Sequence, residues 1–472
     1  MLTVLLNPKK LDQHLDPVSI PYTNDFHLLE NLVTRLVSFD EKGNYQFELA
    51  SSIKPLNELE YIITIKETFF SNGEKIIAND VKETFDRVLR KGASHVNLRE
   101  LVHSIAVLND TTLKIILKKK SKSFFYYLSL PDLGILHKSQ YVKESLLAED
   151  FVLVSSGPFS YGFKEGEYFL VKNKHYLLTP LDYPDKVKLL NYFSKDANKL
   201  ILNNEADVGK VSVSFYLKNL EDFKKNKDLK MIGVPSGSLS YLFFNENSGN
   251  FKNSHHRLWF KKLVTELFKL PEEYTWLSRR SYQYFPPESK AFLSPEEVQE
   301  VIKDYISIKP KDFPRKLKIH TFTTTYNVIP EKLVTSLRDQ LAGHVELEII
   351  TDVDPDDFDR RFKEGSFDVF LNIMSTDFRT PVEAINFEYF SGESVLKDKN
   401  NFVRDNYLLY QSSTNEADEL KFLKNISKEM LRSDQVIPLF HSATPYVYDS
   451  TKVDFGRLSH IFIYNFWKLK VL

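Results

Sequence analysis

The most constraining pattern lies in the last third of the chain, where short apolar runs alternate with segments of helical period. We predict strands over 317–322, 345–351 and 367–373, separated by helices over 330–342 and 356–364. Strands joined through helices in this way build a sheet with at least some parallel pairs. The sequence therefore predicts an α/β fold.

The rest of the 472-residue chain is organised less regularly. Alternating apolar residues predict strands over 61–66 and 112–117, and 241–245 is predicted as a buried strand. A helix is predicted from about residue 78, with Asn79 as its cap. There is no internal repeat, low-complexity block or flexible linker. At roughly 150 residues per domain the length suggests about three structural units, which we expect to be made of interleaved segments.

Composition and motifs exclude several classes of protein. With 63 Lys plus Arg against 64 Asp plus Glu the chain lacks a basic excess, so we expect no nucleic-acid partner. The absence of Cys excludes disulfides, thiolate zinc sites, iron–sulfur clusters and a cysteine nucleophile. No metal-binding His pair, phosphate-binding loop, dinucleotide fingerprint or nucleophile elbow is present. We therefore expect no metal, no cofactor and no catalytic residues, and predict that the protein is not an enzyme.

Membrane and export signals are also missing from the sequence. No stretch approaches the roughly 20 apolar residues that a membrane span requires. The first seven residues are predicted as a short strand, because they lack the basic region and apolar core of a signal peptide. The chain is thus either cytoplasmic or a processed export form.

Asp377 is the candidate binding residue that position alone suggests. It follows the predicted apolar strand 367–373, and open α/β sheets place their ligands just beyond the carboxyl ends of such strands. Asp377 is either a turn or helix-capping residue or the counter-charge for a cationic group of a ligand. Arg279 and Arg280 could grip a carboxylate or phosphate, but surface arginines on a loop are the favoured interpretation.

Ten segments, in order along nearly the whole chain, resemble the family 5 solute-binding proteins of bacterial ABC importers. This family includes oligopeptide-, dipeptide- and nickel-binding proteins. The most diagnostic segment is 70–81 (FSNGEKIIANDV). The others are 15–17 (LDP), 32–40 (LVTRLVSFD), 112–128, 157–161 (GPFSY), 172–176 (KNKHY), 200–207 with its NEAD end, 241–245 (YLFFN), 367–381 (FDVFLNIMSTDFRTP) and 437–440 (IPLF).

The resemblance implies a bilobed periplasmic-binding-protein-like clamshell of type II, cluster C. It would carry an extra inserted α/β domain and a hinge of two chain crossings. Lobe I would combine residues 1–37, 161–238 and 442–472, the inserted domain would span 38–160, and lobe II would span 239–441.

The resemblance also assigns the ligand-binding residues. Asp377 falls on the family aspartate that binds the α-ammonium of a peptide. Phe378 and Met374 would wall the pocket, and Met374 stands where peptide binders have Trp. Segments bordering the cleft in relatives would contribute Tyr241, Asn245, Ser155 and Ser156.

The implied function is that of an ABC-transporter substrate-binding protein. It would capture a peptide or related small polar solute by hinge closure and deliver it to the permease subunits of its importer. A monomer in the periplasm, or anchored outside the cytoplasmic membrane as a lipoprotein, is expected. The alternative is a cytoplasmic ligand-sensing domain of a transcription regulator with the same fold, which would bind a non-peptide ligand such as a sugar phosphate.

Overall fold

The structure is a computed structural model, and all structural statements concern the residues that it describes. These are 1–6, 15–19, 23–39, 45–92, 98–143, 146–147, 153–179, 183–191, 197–211, 215–216, 219–275, 277–287, 289–303, 305, 308–322, 329–352, 355–374, 381–390, 396–454 and 465–472.

The described strands and helices alternate along much of the chain. The strands are β1 (Leu2–Leu6), β2 (Val37–Phe39), β3 (Tyr45–Phe47), β4 (Ala50–Pro55), β5 (Glu60–Ile65), β6 (Val102–Asn109), β7 (Thr112–Leu117), β8 (Tyr141–Lys143), β9 (Leu146–Leu147), β10 (Phe159–Lys164), β11 (Glu167–Lys172), β12 (Lys186–Asn191), β13 (Val208–Lys210), β14 (Leu229–Phe244), β15 (Ser278–Arg280), β16 (Lys316–Phe322), β17 (Glu346–Asp352), β18 (Val369–Met374), β19 (Val436–Asp449), β20 (Val453–Asp454) and β21 (Lys470–Val471).

The α-helices are α1 (Thr23–Leu32), α2 (Ala78–Lys91), α3 (Ser123–Tyr127), α4 (Ala197–Leu202), α5 (Leu220–Lys225), α6 (Ser254–Leu267), α7 (Pro295–Ile302), α8 (Ile329–Leu341), α9 (Pro355–Glu364), α10 (Pro381–Ile385), α11 (Phe402–Ser412) and α12 (Glu416–Arg432). A π-helical turn, Asn386–Phe390, follows α10 directly. Short 3₁₀ turns occupy Pro17–Ser19, Leu98–Glu100, Pro131–Leu133, Lys138–Gln140, Glu272–Tyr274 and Phe466–Lys468. None of these described helices combines the length and the apolar character that a membrane crossing demands.

The chain divides into two compact units. Unit 1 comprises Met1–Lys210, Glu221–Ile232 and Tyr446–Leu472, and unit 2 comprises Val211–Leu220 and Gly233–Pro445. Strands β14 and β19 each contribute residues to both units. The predicted three-part division with a separate insertion over 38–160 stays a prediction.

Unit 1 contains a mixed sheet and a smaller antiparallel sheet. In the mixed sheet β1 lies between β12 and β13 and is parallel to both, while β10 and β11 continue it antiparallel beyond β12. The smaller sheet has the order β4-β5-β7-β6. Apolar residues alternate along β7 with a buried, half-buried pattern, as expected of a strand with one face on a core.

Unit 2 contains the predicted parallel strands. Strand β16 pairs in parallel with both β17 and β18, and β14 pairs antiparallel with β18. One apolar cluster combines sheet residues with side chains of α6 and α8, and a second combines them with side chains of α10, α11 and α12. The βαβαβ prediction over 317–373 is confirmed, because the segments that it named form β16, α8, β17, α9 and β18.

Two local predictions were wrong. Helix α2 begins at Ala78, one residue before Asn79, which was predicted to cap it. The capping hydrogen bond is made instead by Asp80, whose carboxylate accepts from the Ile77 N–H at 2.9 Å. Arg280 lies in strand β15 and donates to the carbonyl oxygens of Phe268 and Pro438, at 3.3 and 3.0 Å. Arg280 is therefore a strand residue bound to main-chain acceptors, although its Nη2 has no hydrogen-bond partner among the described residues. Arg279 is exposed, as predicted, but it lies in the same strand and not in a loop.

Candidate functional site at the carboxyl end of β18

The edge of the unit 2 sheet where β18 ends frames the predicted binding segment. Met374 is the last residue of β18 and pairs with Leu239 of β14. Residues 375–380, which include the predicted site residues Asp377 and Phe378, lie outside the described residues, as does the side chain of Met374. The chain resumes with α10, whose Ala384 is buried in the cluster that also contains Leu239. The described structure thus defines both ends of the segment.

Tyr241 lies beneath this edge as a supporting residue. It is only 2% exposed, and its hydroxyl oxygen accepts a hydrogen bond of 2.8 Å from Nδ2 of Asn372, its partner in the β14–β18 register. Burial raises the pKa of Tyr241, with the Glu388 carboxylate adding to the effect, so the phenol stays neutral at physiological pH. In the structure the Tyr241 hydroxyl therefore holds the side-chain amide of Asn372. The assignment of Tyr241 to the border of a ligand cleft stays a prediction.

A buried carboxyl group, which the sequence analysis did not single out, lies close to Tyr241. Glu388 is 1% exposed and accepts a hydrogen bond of 2.5 Å from the Tyr284 hydroxyl. Burial raises the pKa of Glu388 to about 7, which the hydrogen bond from Tyr284 only partly offsets. The one sequence signal for this residue was an acid within the apolar run Asn386–Phe390.

Replacing Glu388 with Gln is expected to change the pH dependence of stability. The folded-state pKa of about 7 lies above the ordinary value of 4.5, so the folded protein binds the extra proton between these values. The wild type should lose about 3 kcal/mol of unfolding free energy as pH rises from about 4.5 to 7, and Glu388→Gln should lack this loss. Urea unfolding at several pH values measures it. The exposed Glu416, paired with Lys290, serves as the control when changed to Gln; equal slopes for all three proteins would contradict the expectation.

Asn245 lies at the opposite end of the β14–β18 pair. Its Nδ2 donates to the carbonyl oxygens of Gly365 and Phe367, both at 2.9 Å, and its Oδ1 accepts from the Asn247 N–H at 3.0 Å. Asn245 lies six positions beyond Leu239, and at about 3.3 Å per residue the two are about 20 Å apart along the strand direction. The structure does not bring Asn245 together with the Met374 end, and its amide closes the turn that precedes β18.

Ser155 and Ser156 are fully buried in unit 1 and bind main-chain atoms. Ser155 Oγ donates to the carbonyl oxygen of Leu32 at 2.5 Å, and Ser156 Oγ donates to that of Ile135 at 2.6 Å. Ser156 Oγ also accepts from the Thr34 N–H at 3.0 Å. The two hydroxyls hold the chain that follows α1, and the assignment of both residues to a ligand site stays a prediction.

Gly157, next to these serines, is expected not to tolerate a side chain. A Cβ atom there would lie 2.6 Å from the carbonyl carbon of Leu32 and 2.7 Å from the nitrogen of Val33. Because both are main-chain atoms, Gly157→Ala should destabilise unit 1 by about 3 kcal/mol. Gly162→Ala, whose Cβ would meet nothing closer than 3.9 Å, is the control. Thermal unfolding compares the two, and similar melting temperatures would refute the predicted clash.

Among the described residues no group of three or more His, Asp or Glu side chains could hold a metal ion. Buried His320 is joined to Asp352 by a hydrogen bond, and Asp352 Oδ1 accepts from Arg361 Nε at 3.0 Å. Its members link β16, β17 and α9, so they stabilise the sheet edge.

The described strands and helices place the chain among α/β proteins with a mixed sheet. A family model, "Bacterial extracellular solute-binding proteins, family 5 Middle", matches residues 44–394 of the 472. The chain belongs to this family. The sequence-based recognition is confirmed, and the members of the family are binding proteins.

The proteins similar to this chain include periplasmic binding proteins. The probable D,D-dipeptide-binding periplasmic protein DdpA of Escherichia coli K12 is 23% identical over 425 residues, 83% of this chain and 78% of that protein. The periplasmic binding protein DppA of Helicobacter pylori, solved with the peptide STSA, is 17% identical with a TM-score of 0.74, covering 100% and 98% of the two chains. NikA of Brucella suis, solved with Fe(III)-EDTA, is 18% identical with a TM-score of 0.77 and full coverage of both chains.

These similarities confirm the predicted α/β fold of the periplasmic-binding-protein type. Likeness at this level of identity shows the fold alone. The relatives give no support to the alternative of a transcription regulator's sensing domain.

Proposed function

We propose that this chain is the substrate-binding protein of an ABC importer and captures a peptide or a related small polar solute. The family match over residues 44–394 carries the proposal. The dipeptide named for the Escherichia coli relative and the peptide bound by the Helicobacter pylori protein support the ligand class. Binding and delivery require no bond to be made or broken, so we propose no catalytic residue, metal or cofactor.

Asp377 is the proposed anchor of the ligand. It belongs to the segment between β18 and α10, beyond the carboxyl end of a strand that pairs in parallel with β16. A carboxylate there would bind the α-ammonium of a peptide through charge-assisted hydrogen bonds, which are shorter and stronger than neutral ones. Phe378 and Met374 are the proposed walls of the pocket. The peptide main chain would be held by strand-like hydrogen bonds.

The proposed partners are the permease subunits of the importer. We propose that the protein works as a monomer outside the cytoplasmic membrane, either free in the periplasm or tethered to the membrane surface. The family name supports an extracellular location. No nucleic-acid partner is proposed, because the chain has nearly equal numbers of basic and acidic residues.

Native mass spectrometry of gently purified protein tests the proposal. The wild type should carry a heterogeneous set of peptide masses, and Asp377→Ala should lose most of it, because the ammonium group would then have no counter-charge. Asp357→Ala is the matched control. Asp357 is about half exposed and pairs with Arg360 at 2.6 Å, so the peptide masses carried by this variant should match those of the wild type. A single non-peptide mass that is indifferent to Asp377 would refute the peptide assignment.

A further inference from the structure

Asn372, near the end of β18, has one amide atom without a hydrogen-bond partner among the described residues. Its Nδ2 donates to the Tyr241 hydroxyl at 2.8 Å. Over the described ranges of the chain its Oδ1 has no hydrogen-bond partner. The residue is half-buried and lies two positions before Met374, where the strand ends.

The orientation of this amide is set from below. Tyr241 belongs to the buried cluster that contains Leu239, Tyr284 and Ile385, so its ring is held on several sides. An Asn side chain offers two donors on nitrogen and an acceptor on oxygen. With the nitrogen directed at the Tyr241 hydroxyl, the acceptor is the atom that remains for another molecule.

We propose that Asn372 is a specificity-determining residue of the site, with its Oδ1 accepting a hydrogen bond from an N–H group of the bound peptide and with Tyr241 positioning it. This inference rests on the proposed function. A half-buried acceptor left unpaired costs binding free energy, so ligands without an N–H at this point bind less well. An acceptor at this point also disfavours phosphate oxygens, since like partial charges would face one another.

A double-mutant cycle measured by calorimetric titration with trialanine tests both roles. Asn372→Ala should weaken binding about tenfold, the effect of one lost hydrogen bond. Tyr241→Phe should weaken it about threefold, because the amide is then free to rotate. In the Asn372→Ala background Tyr241→Phe should have no further effect, since nothing is left to position.

Asn425→Ala is the matched control. Asn425 is also half-buried in unit 2, but its amide donates to Asn406 Oδ1 at 2.9 Å on the α11–α12 pair. The Asn425→Ala protein should bind trialanine with the same affinity as the wild type. Circular dichroism checks that each variant is folded.

The outcomes separate the two claims. Wild-type binding that is unchanged in Asn372→Ala overturns this inference and leaves the proposed function standing. If the two substitutions weaken trialanine binding by independent factors that multiply in the double mutant, the positioning role of Tyr241 is overturned. A wild type that binds no trialanine and carries no peptide masses counts against the proposed function, and this inference falls with it.

Discussion

Asp434→Ala is expected to lower the free energy of unfolding of unit 2 by about 4 kcal/mol, which is typical of removing one partner of a buried ion pair. Asp434 Oδ2 accepts from Arg257 Nη2 at 2.6 Å and from Ser254 Oγ at 2.5 Å, and Oδ1 binds Lys399 Nζ at 2.9 Å. The Arg257 side chain is only 5% exposed. Loss of the carboxylate would leave a buried guanidinium with its nearest remaining acid, Glu246, at 3.7 Å.

The pH dependence of this effect provides an independent check. Burial opposes ionisation of Asp434, but its hydrogen bonds and the charge of Arg257 lower its pKa to about 2. Since the folded-state pKa lies below the ordinary 3.8, the carboxylate stabilises the fold above about pH 4 and loses this effect as pH falls toward 2. The difference between wild type and variant in urea unfolding should therefore shrink in acid. Asp357→Ala, which removes one partner of an exposed ion pair, is the control. If Asp434→Ala lowers the free energy of unfolding by no more than this control does, the expectation is contradicted.

Arg35→Ala is the corresponding prediction for unit 1, also with an expected loss of about 4 kcal/mol. Arg35 Nη1 donates to Glu30 Oε1 and, at 2.8 Å, to the carbonyl oxygen of Ser129, and Nη2 lies 3.1 Å from Glu48 Oε2. Burial disfavours the charge of Arg35, but the two carboxylates raise its pKa above the ordinary value. Removing the guanidinium would take this cation away from the buried Glu30 and the half-buried Glu48.

Thermal and urea unfolding measure the Arg35 effect, with Lys75→Ala as the control. Lys75 pairs with Glu67 at 3.4 Å, and both side chains are largely exposed, so its loss should cost well under 1 kcal/mol. Arg35→Ala/Glu30→Gln should recover part of the stability, because one of the uncompensated charges is gone. Equal stability of the Arg35 and Lys75 variants would mean that the cluster is not a stabilising element.

The parallel strands of unit 2 were predictable because their signal is local. An apolar run of a buried strand and the helical period of its connection are both properties of short segments, and they identified β16, α8, β17, α9 and β18. The helix cap was misassigned at Asn79 because Asp80 satisfies the Ile77 N–H instead. Residue types that favour helix capping show roughly where a helix begins. Side-chain geometry decides which of them makes the capping hydrogen bond.

The candidate site was predictable only in part. Family resemblance drew attention to Tyr241 and Asn245 because they lie in one matching segment. In the antiparallel β14–β18 register, however, Tyr241 faces Asn372 near the end of β18, while Asn245 lies near Phe367 before its start. Asn372 lies within the matching segment 367–381 but was not singled out there, and Glu388 belongs to no matching segment. Their partners, Tyr241 and Tyr284, are more than 100 positions away in the sequence.

The sequence by itself determined the α/β class and the family, because periodicity and ordered motifs are properties of consecutive residues. Only the tertiary structure decided which polar groups are committed. Ser155, Ser156 and Asn245 bind main-chain atoms, whereas Oδ1 of Asn372 has no partner within the part of the chain that the structure describes. The physical reason is that hydrogen-bond satisfaction depends on atoms brought together from distant positions, and buried groups must find such partners when the chain folds.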